Sequence, residues 1–198
     1  GLLDDRGHLM AQTWLGATGH TGCMPAFGAN LVEAFPPETV NPGDVFICND
    51  PWLCNGQTAD VFITTPAFHK GKLVGFAVNT IHHVDIGGRK GSGLSEEVFE
   101  EGLIIPMLRL YDAGEPNEML FDLIRRNVRY SEKMIGDLRA QVATGWAGCR
   151  EMERLCDEFG FADLKEVSDE ITGRTEAGIR AGLRELPDGE WREEMMMD

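Results

Sequence analysis

The sequence lacks the features by which several large classes of protein are recognised. No apolar run approaches the roughly 18 to 20 residues that a membrane-spanning helix needs, and no basic segment followed by an apolar stretch opens the chain. Basic residues are scarce, with 18 Lys and Arg against 33 Asp and Glu and a formal net charge of -15. We therefore expect no general positive field that would bind nucleic acid or an anionic membrane surface.

Sequence signatures of covalent catalysis and of nucleotide binding are also missing. There is no Gly-x-Ser-x-Gly turn to present a nucleophilic serine, and neither a Walker A loop nor a Gly-x-Gly-x-x-Gly turn to hold phosphates. No Cys-x-x-Cys pair occurs, and Cys149 and Cys156 are two turns apart on one predicted helix, too far for a disulfide. We therefore expect reduced cysteines in a cytoplasmic protein.

The composition is that of an ordinary globular chain, and its local patterns divide it into two parts. The 198 residues are 42% hydrophobic and 26% charged, enough to bury a core without disulfide or metal support. We predict an α+β fold: residues 1–114 form a strand-rich part that carries the site, residues 115–187 add helices to the same domain, and residues 188–198 begin a following segment. Hairpin signals favour a mainly antiparallel sheet; a doubly wound parallel α/β sheet is the alternative.

Individual elements follow from turn residues and apolar spacing. Hairpin turns are predicted at Asp5–Gly7 and Lys70–Gly71. Apolar residues along Ser131–Phe159 recur at intervals that form one helical stripe. A last helix is expected from Asp163 to about Leu186, with these residues inward: Leu164, Val167, Ile171, Ile179 and Leu183. The remaining helices are expected at Cys23–Phe35 and Asn117–Arg126, and the strands at Leu2–Asp4, His8–Ala11, Asp44–Cys48, Val61–Thr65, Ala67–His69, Lys72–Asn79 and, as an edge strand, Leu108–Tyr111.

Polar residues concentrate between positions 49 and 101, where predicted strands end in loops, and loops at strand ends commonly carry sites. Adjacent histidines on a strand point to opposite faces, so at most one is expected in a given site. An imidazole with carboxylates suits a divalent metal, which can acidify a water or polarise a carbonyl. A hydrogen-bonded surface histidine pair beside a turn is the alternative. The candidate site residues in this region are Asp50, Asp60, His82, His83 and Asp85.

A glycine-rich stretch follows the histidine pair. The sequence Gly87–Gly93 (GGRKGSG) predicts a flexible loop or lid, with Arg89 and Lys90 as anion contacts.

These motifs, in this order, resemble the hydantoinase B family. The family includes the B subunits of ATP-dependent N-methylhydantoinases, the matching half of 5-oxoprolinases and one large subunit of acetone carboxylases. The resemblance covers nearly the whole chain, and family members are much longer. It is carried by LLDDRGHLMAQ (Leu2–Gln12), HTGCMP (His20–Pro25), GDVFICNDP (Gly43–Pro51), the run from Thr58 to Gly88 that contains DVFITTPAF and HHVDIGG, EEVFEEGLIIP (Glu96–Pro106), LIRRNVR (Leu123–Arg129) and GDLRAQVA (Gly136–Ala143).

The resemblance implies a metal-dependent amidohydrolase subunit. A hydantoinase A-type ATPase subunit, which binds the ATP, activates a cyclic amide by phosphorylation, and the B part opens the ring with a metal-activated water. The two parts are expected to form a hetero-oligomer. An amide is poorly electrophilic because its nitrogen lone pair is delocalised, so it needs such activation. The alternatives are a carboxylase of the acetone carboxylase type and a non-catalytic member that only binds its partner.

The resemblance also implies a set of site residues. Asp60 and His82 take the family's metal-binding Asp and later His positions, whereas its first His position falls on Gln57. A further acid is expected from a segment before residue 1. Glutamine is a poor zinc ligand, although its carbonyl oxygen can bind a harder cation.

The departure at Gln57 leaves three interpretations open. The first is a weaker or different metal, with zinc, manganese and iron as candidates. The second is a replacement ligand, for which the candidates are His20, His83 and Asp50. The third is the loss of metal catalysis. We predict that Asp60, His82 and Gln57 hold the metal and that Asp50, His83 and Asp85 serve catalysis.

Overall fold

A computed structural model describes residues 1–14, 16, 18–89 and 95–196 of the chain. The strands are β1 (Leu2–Asp4), β2 (Leu9–Ala11), β3 (Val45–Cys48), β4 (Asp60–His69), β5 (Lys72–His82), β6 (Leu108–Asp112) and β7 (Glu115–Pro116). The α-helices are α1 (Thr18–Ala34), α2 (Glu118–Asn127), α3 (Ser131–Phe159) and α4 (Lys165–Arg184).

The seven strands form one sheet in the order β2-β1-β5-β4-β3-β6-β7, and every pairing is antiparallel. The predicted α+β fold is therefore confirmed, and the parallel alternative is wrong. The prediction of Leu108–Tyr111 as an edge strand is also wrong, because β7 pairs outside β6. In the described part of the chain, no helix is long and apolar enough to cross a membrane.

Helices cover both faces of the sheet, because the side chains of each strand alternate between them. On β4, Phe62 packs against Phe27 of α1, with ring centroids 4.7 Å apart. Its neighbours Val61 and Ile63 point to the other face, into the core formed with α2 and α3. The strand residues Val45, Ile47 and Leu110 belong to that core, with Leu120, Phe121, Ile124, Ile135, Leu138 and Val142 of the helices.

The long hairpin of β4 and β5 turns at the predicted Lys70–Gly71. Near the turn His69 lies opposite Lys72, but the register shifts by one residue between Ala67 and Phe68. The irregularity involves Gly75, which has a φ of +155°. As a result, Asp60 at the start of β4 lies directly opposite His82 at the end of β5.

The N-terminal hairpin is tied to α4 through the carboxylate of Asp4, which is fully buried. It accepts hydrogen bonds from the backbone N–H groups of Arg6 and His8, from the Arg6 guanidinium and from the Ser168 hydroxyl. Burial alone would raise the pKa of Asp4, but these hydrogen bonds outweigh it and hold the pKa below its usual value. Asp4 therefore stays anionic and joins β1 to α4.

Two sequence predictions about α4 are wrong. Ile179 and Leu183 are each 59% exposed rather than inward. The packed part of α4 is its start, where Leu164 and Ser168 are buried. Leu164, not Asp163, occupies the capping position. The apolar periodicity correctly predicted a helix, but among the described residues burial is confined to the start of α4, where Ser168 bonds to Asp4 of β1.

The cysteines agree with the expectation of reduced thiols. All five are free: Cys23, Cys48, Cys54, Cys149 and Cys156. Cys149 and Cys156 are buried on the sheet-facing side of α3. Burial raises the pKa of the Cys149 thiol to about 12, so this side chain is unreactive at neutral pH.

Candidate active site

The carboxylate of Asp60 is the centre of a polar cluster between the sheet and α1. Its Oδ1 accepts a hydrogen bond from Nδ1 of His82, 2.8 Å away, which the strand register places opposite. Its Oδ2 accepts from Nε2 of His20 at 3.1 Å and from the side-chain amide of Asn55 at 2.6 Å. One carboxylate, two imidazoles and an amide thus come from α1, a loop and two strands.

Asp60 is anionic in this setting. Burial of the side chain, which is 3% exposed, would raise the pKa of Asp60. Hydrogen bonds from Asn55, His20 and His82 outweigh that penalty and hold the pKa below its usual value. A charged carboxylate that orients two imidazoles is an arrangement typical of metal and acid–base sites.

A cavity of about 630 Å³ opens beside this cluster. His82 and His83 line it, together with Gln57, Glu101 and Arg129. His20 lines a second, smaller hollow of about 150 Å³. Asp60 therefore joins one imidazole from each hollow.

His83 turns away from Asp60 and into the protein. Its side chain bonds to Gln141 of α3, with 3.0 Å between His83 Nε2 and Gln141 Oε1, and its backbone N–H donates to the Ala59 carbonyl. Burial lowers the pKa of His83, and this effect exceeds the opposing effect of the hydrogen bond to the Gln141 amide oxygen. The ring is therefore neutral at pH 7 and able to accept a proton.

Asp85 lines the cavity, but its carboxylate is engaged in hydrogen bonds with neighbouring residues of the loop. It accepts hydrogen bonds from the guanidinium and the backbone N–H of Arg129 and from the backbone N–H of Gly87. Arg129 also donates to the Gly88 carbonyl. Burial would raise the pKa of Asp85, but the backbone and side-chain hydrogen bonds from Arg129 and Gly87 lower it. These contacts favour a role in holding the loop, and the predicted catalytic role of Asp85 remains a prediction.

Asp50 and Gln57 lie in the loop between β3 and β4. The Asp50 carboxylate accepts from the Trp52 backbone N–H at 3.0 Å, which stabilises the turn, and Asp50 is not among the cavity-lining residues. The side chain of Gln57 lines the cavity, whereas its backbone carbonyl accepts from the N–H of Asp60. The structure thus brings together Asp60 and His82, places Gln57 and His83 on the same cavity, and leaves Asp50 apart.

Three site residues were not predicted. Asn49 is fully buried and bonds to the backbone of Thr58, Leu103 and Ile105, so it ties the cavity wall at Thr58 to the segment before β6. Glu101 accepts from the backbone N–H and hydroxyl of Thr58 on the cavity wall. Gln141 contacts His83 across 58 residues of sequence. A polar residue on the apolar stripe of α3 was the available signal for Gln141.

The glycine-rich stretch is described only in part. Arg89 donates its backbone N–H to Glu100 and lies 3.4 Å from the Glu100 carboxylate through its guanidinium. Lys90 and the rest of the predicted lid, residues 91–93, lie outside the described residues.

The donor types in the Asp60 cluster fit a divalent metal. Donor atoms about 2.1 Å from one ion lie roughly 3 Å or slightly more apart, and the two imidazole–carboxylate distances are 2.8 and 3.1 Å. Both ring nitrogens donate protons to Asp60, so an ion would have to replace those protons. Within residues 1–14, 16, 18–89 and 95–196, no group of three His, Cys, Asp or Glu side chains is already arranged to hold a metal.

Comparisons with known proteins show what this chain is similar to. The sequence profile of the family described as hydantoinase B/oxoprolinase matches residues 1–198. The caprolactamase subunit beta of Pseudomonas jessenii is 32% identical over 174 residues, which are 86% of this chain and 30% of that protein. A 5-oxoprolinase of Dictyostelium discoideum is 28% identical over 150 residues, 73% of this chain and 12% of that protein.

Two solved structures have a fold similar to that of this chain. The crystal structure of ATP-dependent caprolactamase from Pseudomonas jessenii superposes with a TM-score of 0.81 at 29% identity, over 95% of this chain and 33% of that chain. A nucleotide-free acetone carboxylase superposes with a TM-score of 0.71 at 22% identity, over 84% of this chain and 22% of that chain, which shows a shared fold only. The chain spans no more than about a third of the length of these relatives.

Proposed function

The chain belongs to the hydantoinase B/oxoprolinase family, and from this premise we propose that it carries the ring-opening site of an ATP-dependent cyclic amidase. A hydantoinase A-type ATPase subunit would bind ATP and activate the amide, and this chain would hydrolyse the activated ring. The observation that supports the proposal is the Asp60 cluster, in which one carboxylate contacts two imidazoles at the edge of a 630 Å³ cavity. We place the complex in the cytoplasm, which keeps cysteines reduced.

The assignment of the ATP-dependent step to the partner rests on the motifs and the charge of the sequence. No Walker A motif or Gly-x-Gly-x-x-Gly turn occurs, and the formal net charge is -15. The sequence therefore offers a nucleotide polyphosphate no recognised phosphate-binding motif, and its net charge gives an unfavourable field. The ATP-dependent step is assigned to the partner, and the hydrolytic step to this chain.

We propose that a divalent metal, for which zinc, manganese and iron are the candidates, is held by Asp60 and His82, with His20 as the ligand that replaces the histidine missing at Gln57. Such an ion would polarise a carbonyl and lower the pKa of a water. His20 is the replacement that the structure favours, since its Nε2 lies 3.1 Å from Asp60 whereas His83 bonds to Gln141. The carbonyl oxygen of Gln57 would serve at most as a weak additional ligand.

The chain's other polar residues have separable tasks in ring opening. Attack of water on the phosphorylated amide forms a bond between the water oxygen and the carbonyl carbon, breaks the ring carbon–nitrogen bond and leaves a proton to be moved from the water to the nitrogen. The acyl phosphate that results is hydrolysed by a second water to a carboxylate and phosphate. His83 is neutral and lines the cavity, so it can take that proton. Asp85 and Arg129 hold the loop that forms the cavity wall.

The experiment that tests the proposal is ATP-dependent ring opening by the full-length protein with its ATPase partner. Hydantoins, 5-oxoproline and lactams are the substrates to screen. We expect turnover on at least one of them, and a loss of roughly 10² to 10³-fold in His82→Ala, in line with the loss of a catalytic side chain. His8→Ala is the matched control, because His8 lies on the N-terminal hairpin and lines neither hollow.

Three results would count against the proposal. Turnover that survives His82→Ala would place the chemistry elsewhere. Bicarbonate-dependent consumption of a ketone, without ring opening, would assign the carboxylase alternative. A complex that assembles with the ATPase but turns over none of these substrates would support a non-catalytic, partner-binding subunit.

A further inference from the structure

We propose that Gln141 is a positioning residue for catalysis: it holds His83 in the tautomer that carries its proton on Nε2, and so makes Nδ1 the nitrogen that accepts a proton in the cavity. The inference rests on the proposed function for its catalytic part. The tautomer itself follows from hydrogen-bond geometry and is tested separately.

The orientation of the Gln141 side-chain amide is fixed by a backbone carbonyl. Gln141 Nε2 lies 2.9 Å from the oxygen of Val61, which can only accept a hydrogen bond. The amide NH₂ group must therefore face Val61, and the amide oxygen must face the other way. The other way is towards His83, where Gln141 Oε1 and His83 Nε2 are 3.0 Å apart.

The amide oxygen in turn fixes the imidazole. An amide oxygen accepts and does not donate, so His83 Nε2 must carry a hydrogen for the contact to be a bond. In a neutral ring the second nitrogen, Nδ1, then carries the lone pair. The other tautomer would set a ring lone pair against the amide oxygen.

Burial makes this arrangement strict. His83 and Gln141 are each 3% exposed, so water cannot substitute for either partner. Both residues are also held at the backbone: His83 N–H donates to Ala59 at 2.8 Å, and Asn79 Nδ2 donates to the Gln141 carbonyl at 2.9 Å. The Gln141 amide cannot turn away from His83 without also losing its bond to Val61.

Access from the cavity selects the remaining nitrogen. His83 lines the 630 Å³ cavity, and its Nε2 is occupied by Gln141. Nδ1 of His83 is not among the fully buried polar atoms that lack a partner in the described part of the chain. Nδ1 is therefore the ring nitrogen that remains available to a reacting group.

A purely structural role for Gln141 would consist of joining α3 to β4 through Val61. To separate the two roles, the full-length complex is labelled with ¹⁵N in its histidine rings, and the His83 signals are assigned by their loss in His83→Asn. We expect the wild-type signals of a ring protonated at Nε2, and a mixture of tautomers in Gln141→Leu. Asn79→Ala is the matched control, because it removes a bond to the Gln141 backbone but leaves its side-chain amide in place.

Kinetics provide the second part of the test. In Gln141→Leu we expect kcat to fall roughly 10 to 100-fold with KM nearly unchanged, in line with the loss of a residue that orients a catalytic group. Asn79→Ala should retain kcat even if it unfolds at a lower temperature.

The outcomes separate this proposal from the proposed function. A wild-type His83 protonated at Nδ1 would overturn the proposal, as would a Gln141→Leu complex with an altered tautomer and an unchanged kcat. Equal kcat losses in Gln141→Leu and Asn79→Ala would mean that Gln141 is structural only. A wild-type complex that opens no ring would contradict the proposed function and with it the catalytic part, while the ¹⁵N signals would still decide the tautomer.

Discussion

Replacing Asp60 with asparagine is expected to reduce the turnover of the full-length complex by roughly 10³-fold. The carboxylate accepts hydrogen bonds from His20, His82 and Asn55, and it carries the negative charge of the cluster. An asparagine of the same size offers one acceptor oxygen in place of two, so at most one imidazole keeps its partner. Ring opening at saturating ATP measures the effect.

The control for this substitution is Asp122→Asn. Asp122 lies on α2 and is 74% exposed, and its ion pair within the described part of the chain is with Arg125 of the same helix. It should leave turnover within about twofold, since an exposed ion pair contributes little. If Asp60→Asn retained a tenth or more of the wild-type turnover while folding normally, the Asp60 cluster would not be the reactive centre.

Replacing Gly75 with alanine is expected to destabilise the chain by about 3 kcal/mol or more. A Cβ at this position would lie 2.2 Å from the carbonyl oxygen of Leu3 and 2.7 Å from the methyl group of Met152. The Leu3 contact is to the backbone of β1, which pairs with β5 at this point and cannot give way as a side chain can. Urea unfolding of the chain, followed by circular dichroism, gives the change in the free energy of unfolding.

Gly178→Ala is the matched control for Gly75→Ala. Gly178 lies in the exposed part of α4, with no atom within 4 Å of an added Cβ. The same substitution should be neutral or stabilise by up to about 1 kcal/mol, because alanine is the better helix former. Equal effects of the two substitutions would mean that β1 does not approach β5 as closely as described.

In the hairpin of β4 and β5, the sequence predicted the turn but not the strand register that brings the site residues together. The turn at Lys70–Gly71 was correct, and regular pairing from that turn would place Asp60 opposite Ile81. The one-residue shift at Gly75 places it opposite His82 instead. A glycine inside a strand suggests a bulge but does not specify the direction of the shift, so the Asp60–His82 contact came from the family resemblance and not from strand counting.

The helices show that local periodicity predicts where a helix lies but not which of its residues are buried. The predicted bounds of Ser131–Phe159 match α3, because its stripe is buried along most of its length. The pattern of α4 has the same period, yet Ile179 and Leu183 are exposed. Periodicity reports which face a helix could bury, whereas burial depends on whether another element reaches that face.

Several site contacts join residues that are far apart in the sequence. His20 bonds to Asp60 across 40 residues, and His83 bonds to Gln141 across 58. No local pattern carries such pairs. The sequence offers His20 as one of several replacements for the histidine missing at Gln57, and its contact with Asp60 depends on the packing of α1 on the sheet.

The central claim is that the Asp60 cluster of the full-length protein holds a divalent metal, and metal content by mass spectrometry tests it most directly. The account predicts about one equivalent of zinc, manganese or iron per wild-type chain, lost in both Asp60→Asn and His82→Ala and retained in Asp122→Asn. A wild-type protein that opens rings without bound metal would contradict it, and so would a metal retained in full by both Asp60→Asn and His82→Ala.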